Sequence, residues 1–189
     1  ETYTQKESEI INKNGIKGED IKGRRDFRGI TTFTIDPDDA KDYDDAISIR
    51  DMGERKFEIG IHIADVSHYV KNGSSLDREA SKRATSVYLV DRVIPMLPET
   101  LSNDLCSLLP NKDRLTFSAV FIVDDSGKIH EEWFGKTIIH SKKRFTYDEA
   151  QKIIEKNDSQ DDFSKELFTL NNIAKKLKKE RISKGSVLL

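Results

Sequence analysis

The chain has 189 residues, of which 32 are basic and 34 acidic, and its formal net charge is −2. This length suits one ordinary domain or a piece of a larger one, and the balanced charge excludes a generally basic protein that binds polyanions over its whole surface. Hydrophobic residues make up only 35% of the chain, the single cysteine (Cys106) excludes an intrachain disulfide, and no apolar run approaches the roughly 18 residues of a membrane span, so we expect no membrane partner.

The first 28 residues are polar and then basic. Residues 1–22 contain two glycine turns and are predicted to be a linker or a frayed edge. The stretch that follows carries Lys22, Arg24, Arg25 and Arg28. We interpret these cations as a solvated charged loop, with a phosphate-contacting rim as the alternative.

Two hairpins are predicted from period-two alternation of apolar residues. In the first, a strand over residues 31–35 leads into an acidic stretch, and strands over 46–50 and 57–63 follow it. In the second, alternation over 115–123 is followed by the turn sequence "DDSGK" and a returning strand. The acidic stretch therefore lies between two strands, where a fixed backbone suits a preorganised site.

Helical spacing is found between and after these strands. Proline residues interrupt the helical region within 94–111. The last residues, "GSVLL", are predicted to begin a further strand, as expected if the sequence is cut from a longer protein. Strands mixed with helices predict an α+β fold with a mixed or antiparallel sheet and packed helices. The helical regions are residues 74–90, residues 146–157, one or two short turns within 94–111, and residues 162–185.

The acidic stretch concentrates negative charge beside apparently buried strands. Two like charges about 4 Å apart repel by roughly 1 kcal/mol in water and about 4 kcal/mol at an effective dielectric near 20. A hard divalent cation offsets this repulsion, and Mg²⁺ bound by carboxylates suits phosphoryl transfer. A solvated acidic turn explains the same pattern, so both interpretations stand at this point. The six aspartates are Asp36, Asp38, Asp39, Asp42, Asp44 and Asp45.

Two other known kinds of acidic site do not match the spacing of these aspartates. An EF-hand loop that started at Asp36 would need an acid at position 5, a glycine at position 6 and a glutamate at position 12. The chain has Ala40, Lys41 and Ile47 there. A nuclease of the DEDD type needs an Asp-x-Glu pair on a first strand and later acids on helices, whereas these acids share one loop.

Three motifs in order carry a family resemblance. They are "TIDPDDAKDYDDAI", "HIADVSHYV" and "ATSVYLVDRVIPMLPETLSNDLCSLLP". Together they resemble the catalytic (RNB) domain of the ribonuclease II/ribonuclease R family, with the bacterial ribonuclease R branch as the best match. The resemblance runs from about Arg24 to the end of the chain.

The resemblance implies a processive, Mg²⁺-dependent 3′→5′ hydrolytic exoribonuclease that degrades single-stranded RNA to nucleoside 5′-monophosphates, in the cytoplasm. A non-catalytic RNA-binding member of the same family is the alternative. The aspartate set argues against that alternative, because a scaffold has no need to bear so much charge repulsion.

The resemblance also assigns roles to particular residues. The residue that matches Asp44 is especially critical to cleavage, and Asp38 and Asp39 fall outside the core set as loop acids. Tyr88 matches an aromatic residue that stacks on a base at the RNA 3′ end, and Tyr147 matches a tyrosine that helps to read ribose. The family's metal-binding aspartates map onto Asp36, Asp42, Asp44 and Asp45.

By the same resemblance, residues 23–189 form the N-terminal part of a truncated RNB catalytic domain. Residues 1–22 are then a linker or the tail of a preceding OB/cold-shock domain. The family's later arginine-containing segment and glutamate would lie beyond Leu189. We therefore expect the isolated fragment to have little or no nuclease activity.

Overall fold

The computed structural model describes residues 2–156 and 162–186, so the strand expected in the last residues of the chain lies outside the described part. Within these described residues there are nine strands: β1 (Arg25–Asp26), β2 (Thr31–Asp36), β3 (Asp45–Gly53), β4 (Lys56–Ala64), β5 (Val87–Tyr88), β6 (Val93–Ile94), β7 (Asp113–Asp124), β8 (Ile129–His140) and β9 (Lys143–Thr146). The helices are α1 (Thr2–Asn14), α2 (Gly18–Ile21), α3 (Val66–Tyr69), α4 (Ser75–Arg83), α5 (Tyr147–Lys156) and α6 (Ser164–Ser183), with a π-helical turn at Leu101–Leu105.

Seven strands form one mixed sheet in the order β1-β8-β7-β4-β3-β2-β9, and β5 and β6 form a separate hairpin. The four central strands and β2 pair antiparallel, whereas β1 pairs with β8, and β9 with β2, in parallel. Both predicted hairpins and the α+β class with a mixed sheet are therefore confirmed.

Helices cover part of both faces of the sheet. On one face, β2, β9, α5 and α6 bury a cluster that includes Phe33, Phe145 and Leu167, and the cluster beside it joins Ile49 to Ile173. The opposite face carries the largest cluster. To it α4, the π-helical turn and the loop after that turn, β7 and β8 contribute Leu76, Leu101, Leu105, Leu108, Leu115, Ile138 and Ile139. In the described part of the chain, no helix combines the length and apolarity needed to cross a membrane.

The N-terminal segment differs from the predicted linker. It forms helix α1, whose Ser8 is fully buried and whose Ile11 packs on the largest cluster. Glu7 Oε2 accepts a hydrogen bond from Leu76 N at 3.2 Å, at the start of α4. A short polar helix is stable here because tertiary contacts, rather than its own propensity, hold it. The origin of this segment in a preceding domain stays a prediction.

The helix expected over residues 74–90 is shorter than predicted. It ends at Arg83, because Ala84 adopts a left-handed conformation with φ 62°, and the chain continues into the β5–β6 hairpin. Ser74 Oγ caps the start of α4 by accepting a hydrogen bond from Asp77 N at 3.1 Å. The hairpin carries Tyr88 out of the helix and onto an exposed ribbon.

The basic segment is not simply a solvated loop, because its arginines form ion pairs, and its contact with phosphate stays a prediction. The Arg24 guanidinium lies 2.7 Å from Asp65, and the two side chains are only 4% and 3% exposed. Arg25 pairs with Glu58 and Arg28 with Asp26. These three arginines are engaged within the protein. Sequence could not indicate Asp65 and Glu58 as partners, because they lie 41 and 33 residues from Arg24 and Arg25.

Candidate functional site

The aspartates of the acidic stretch meet at one edge of the sheet. Strand β2 ends at Asp36 and β3 begins at Asp45, and the two strands are antiparallel neighbours with Phe33 opposite Ile47. Residues 37–44 form the irregular connection between them, called the aspartate loop below. Asp38 and Asp39 are exposed in this loop, in agreement with their interpretation as loop acids.

Side chains from distant parts of the sequence hold the aspartate loop. Ser107 is fully buried, and its hydroxyl accepts a hydrogen bond from Tyr43 N at 2.9 Å and donates one to Lys41 O at 3.0 Å. Leu108 N donates to Tyr43 O at 2.8 Å. From β9, Arg144 donates from Nη2 to the carbonyl oxygens of the loop's first residues. Sequence reasoning missed both Ser107 and Arg144.

Asp36 is the buried member of the set. Its side chain lies at the end of β2 with the residue only 7% exposed, and its Oδ2 atom has no hydrogen-bond partner among the described residues. Burial raises the pKa of this carboxyl, and the negative charges of Asp45 and Asp42 raise it further. A buried carboxylate oxygen without a donor is costly, because nothing replaces the water that it has lost.

Asp44 shares this electrostatic environment. Its pKa is raised, first by loss of water around the carboxyl and then by the negative charges of Asp42, Asp45 and Asp36. The four aspartates of the family set therefore lie within electrostatic reach of one another. Across residues 2–156 and 162–186, however, no group of three or more His, Cys, Asp or Glu side chains converges closely enough to hold a metal ion. The carboxylates are neighbours without closing on one point.

The two tyrosines lie at the same end of the sheet. The Tyr88 hydroxyl donates to Asp42 Oδ2 at 3.3 Å, so the β5–β6 hairpin reaches the aspartate loop while the residue stays 68% exposed. The negative charge of Asp42 raises the pKa of this phenol. Tyr147 begins α5 directly after Thr146, which pairs with Asp36 across β2 and β9, and it is 59% exposed.

His62 and Cys106 have structural surroundings. His62 is fully buried between Ser48 Oγ at 2.8 Å and Ser118 Oγ at 2.6 Å, and burial lowers its pKa to about 4. This placement gives the imidazole a structural role, as a neutral group that joins two serine hydroxyls. Cys106 is buried, and burial raises the pKa of its thiol to about 12, so it is a small apolar group rather than a nucleophile.

Comparisons with known proteins show the family to which this chain belongs. The model of the RNB domain family matches residues 24–189. DIS3-like exonuclease 2 of Schizosaccharomyces pombe is 46% identical over 186 residues, covering 91% of this chain and 20% of that protein. Ribonuclease R of Thermotoga maritima is 43% identical over 176 residues, covering 92% of this chain and 25% of that protein. The chain therefore spans a quarter or less of the length of these two relatives.

Solved structures give the same result. Mycoplasma genitalium RNase R in complex with ribose-methylated single-stranded RNA superposes with a TM-score of 0.85 and 31% identity, over 96% of this chain and 29% of that one. Yeast Ssd1, described as a pseudonuclease, superposes with a TM-score of 0.77 and 26% identity, over 89% of this chain and 20% of that one. The motif-based resemblance is thus confirmed, and the chain belongs to the RNB domain family.

Proposed function

We propose that this chain carries the aspartate site of a 3′→5′ exoribonuclease that hydrolyses single-stranded RNA processively to nucleoside 5′-monophosphates. The observation that carries the proposal is the meeting of Asp36, Asp42, Asp44 and Asp45 at one sheet edge, in a chain that belongs to the RNB domain family. Relatives of this chain are named as exonucleases and ribonucleases.

The donor chemistry of this edge fits a hard divalent cation, which we propose to be Mg²⁺ held by the four carboxylates. Asp36 offers a buried oxygen that lacks a donor among the described residues, and burial and like charge raise the pKa of both Asp36 and Asp44. A cation reverses this situation, because it favours the ionised carboxylates. When bound, Mg²⁺ polarises a phosphodiester and lowers the pKa of an attacking water.

The tyrosines supply what a single strand of RNA needs beside that site. Base stacking on an aromatic side chain contributes about 1–3 kcal/mol per base and does not depend on sequence. Tyr88 presents an exposed ring beside Asp42, which supports its proposed role under the terminal base. Tyr147 is exposed and directly follows Thr146, the residue paired with Asp36. From there we propose that it contacts ribose, and a contact to the 2′-hydroxyl distinguishes RNA from DNA.

A non-catalytic RNA-binding role is the second candidate. It is favoured by the similarity to yeast Ssd1 and by the absence, within the described residues, of a closed metal-binding group. The two candidates differ in one property of the purified chain. A nuclease site takes up a divalent cation through the aspartate set, whereas a binding module has no use for one.

Calorimetric titration of Mg²⁺ and Mn²⁺ into the purified chain tests this difference. Asp45→Asn is expected to weaken binding about tenfold or more, because it removes one anionic ligand from the set. Asp39→Asn is the matched control, since Asp39 is an exposed aspartate of the same loop outside the family set, and it should leave the affinity within about twofold.

Equal weakening in both variants would mean that only the total charge of the loop attracts the cation. Absence of any metal-dependent heat in the wild-type chain would contradict the proposed cation site and would favour the non-catalytic role. A fluorescent single-stranded oligoribonucleotide should bind more tightly than its duplex, and Tyr88→Ala should reduce that binding by about tenfold, equivalent to one lost stacking contact.

A further inference from the structure

Arg144 is a cation that contacts the aspartate loop from outside the three family motifs. It lies on β9, which pairs in parallel with β2 so that Arg144 is opposite Thr34. From this position its Nη2 atom donates hydrogen bonds to Pro37 O and, at 2.9 Å, to Asp38 O. One guanidinium nitrogen therefore holds two successive carbonyl groups at the point where the chain leaves β2.

The same guanidinium also reaches the far side of the loop. Its central carbon lies 5.7 Å from the centre of the Tyr43 ring, in cation–π range, and Tyr43 directly precedes Asp44. Arg144 thus contacts the loop both before and after its turn. A planar group with several donors suits this double contact better than a lysine ammonium does.

The loop has few backbone hydrogen bonds of its own. Within residues 37–44, Ala40 N donates to Pro37 O at 3.2 Å, and the other anchors described for Lys41 and Tyr43 come from Ser107 and Leu108. Apart from this turn and the hydrogen bond from Ala64 N to Asp44 O at 3.1 Å, no strand pairing fixes the backbone between β2 and β3, so its shape depends on these contacts from outside the loop. Ser107 and Leu108 hold the second half of the loop, and Arg144 holds the first.

The charge of Arg144 matters in the same place. The loop and its ends carry six aspartates, and a half-buried cation beside them reduces the repulsion that such a group experiences. Arg144 Nε is buried and lacks a hydrogen-bond partner within the described part of the chain. An unsatisfied donor is costly, so the other contacts of this side chain must offset that cost.

We propose that Arg144 is a positioning residue, which fixes the first half of the aspartate loop and thereby the spacing between Asp36 and the carboxylates that follow it. Any effect of Arg144 on catalysis rests on the proposed function, whereas its role in fixing the loop does not. Arg144 is not assigned to touch the metal or the RNA.

Hydrogen exchange of the purified chain, followed by mass spectrometry of peptides, tests the loop-holding role. Arg144→Gln removes the positive charge and most of the N–H donors of the guanidinium. In this variant the amides of residues 38–44 should exchange about tenfold faster, while those of β4 and β7 keep their wild-type rates. Lys142→Gln is the matched control, because Lys142 is an exposed cation two residues away. It should leave the loop unchanged.

Loop exchange in Arg144→Gln within twofold of the wild type would overturn the proposal. So would equal acceleration in the loop and in β4 and β7, because that pattern reports general loss of stability. Arg144→Lys keeps a cation and should give an intermediate rate. If the glutamine variant does not fold, loop exchange in the lysine variant equal to that of the wild type overturns the proposal.

A Mn²⁺ titration of the same variants separates this proposal from the proposed function. Tenfold weaker Mn²⁺ binding in Arg144→Gln, with unchanged binding in Lys142→Gln, supports the link between loop shape and carboxylate spacing. Unchanged affinity despite faster loop exchange overturns that link. No Mn²⁺ binding by the wild type contradicts the proposed cation site, while the exchange measurement still decides whether Arg144 holds the loop.

Discussion

Protonation of His62 is expected to destabilise the fold, and the structure gives the size of the effect. The imidazole is fully buried at the centre of a polar network, with Ser48 and Ser118 on its two nitrogens and the Phe27 ring 5.1 Å away. Ser118 in turn lies 2.6 Å from Thr137 Oγ1, so the network connects β3, β4, β7 and β8. None of the described contacts of this ring is a carboxylate that would stabilise an imidazolium.

The magnitude follows from the difference in pKa between the folded and unfolded chain. Burial lowers the pKa of His62 from 6.5 to about 4, and about 2.5 pKa units correspond to about 3 kcal/mol. Because the folded pKa is the lower one, the unfolded chain binds more protons between pH 4 and 6.5. Stability from this group is therefore fully present above pH 6.5 and is lost as the pH falls toward 4.

Urea unfolding at pH values from 7.5 to 4.5 measures this loss. His62→Gln, which keeps a side chain able to bond both hydroxyl groups, is the reference, since other titrating groups such as Asp36 and Asp44 are common to both proteins. The free energy of unfolding of the wild type should fall relative to the variant by about 2–3 kcal/mol across this range. Parallel pH profiles for the two proteins would refute the assignment of a neutral, desolvated imidazole.

Three further results are expected. Asp65→Asn should reduce the free energy of unfolding by about 3–5 kcal/mol in urea denaturation, because it leaves the buried Arg24 without its counter-charge, and a loss under 1 kcal/mol would contradict this. Gly60→Ala should also destabilise the chain, by about 1–3 kcal/mol, because an added Cβ would lie 2.5 Å from Ser48 Oγ and 2.6 Å from His62 Nε2. An unchanged melting temperature would show that these side chains move aside without loss of stability. With Mg²⁺ or Mn²⁺, the isolated chain should release no nucleoside monophosphates from a single-stranded oligoribonucleotide, since it spans only 29% of the similar Mycoplasma genitalium RNase R chain, and processive degradation in a chromatographic assay would disprove this.

Periodicity predicted the elements whose patterns are strong. The alternation through 57–63 and 115–123 belongs to the long central strands β4 and β7. It identified the strands but not their more buried face, because Ile61, Ile63 and Phe117 are exposed while the alternate positions are buried. Patterns failed where tertiary contacts override local preference. The polar segment before Gly15 is a helix because Ser8 and Ile11 pack against the core, and the helix through 74–90 stops at Ala84 because the chain turns into a hairpin there.

The aspartates of the candidate site were predicted from the sequence, but the residues that hold the aspartate loop were not. Local sequence places Asp36 and Asp45 at the ends of two strands, because the strands on either side have clear patterns. It gives no sign that Arg24 is buried with Asp65, since the partner is 41 residues away. For the same reason it gave no sign of Ser107 or Arg144 at the loop.

By itself the sequence determined the α+β class, the two hairpins, the aspartate-rich loop between strands and the family to which the chain belongs. These properties depend on local spacing and on motifs, which are written in consecutive residues. Only the tertiary structure decided how the loop is held and how its charges interact. It brings β9 alongside β2 in parallel, and so places Arg144 against Pro37 and Tyr147 beyond Asp36. A parallel pairing joins segments more than 100 residues apart, and no local pattern specifies which strand will be its partner.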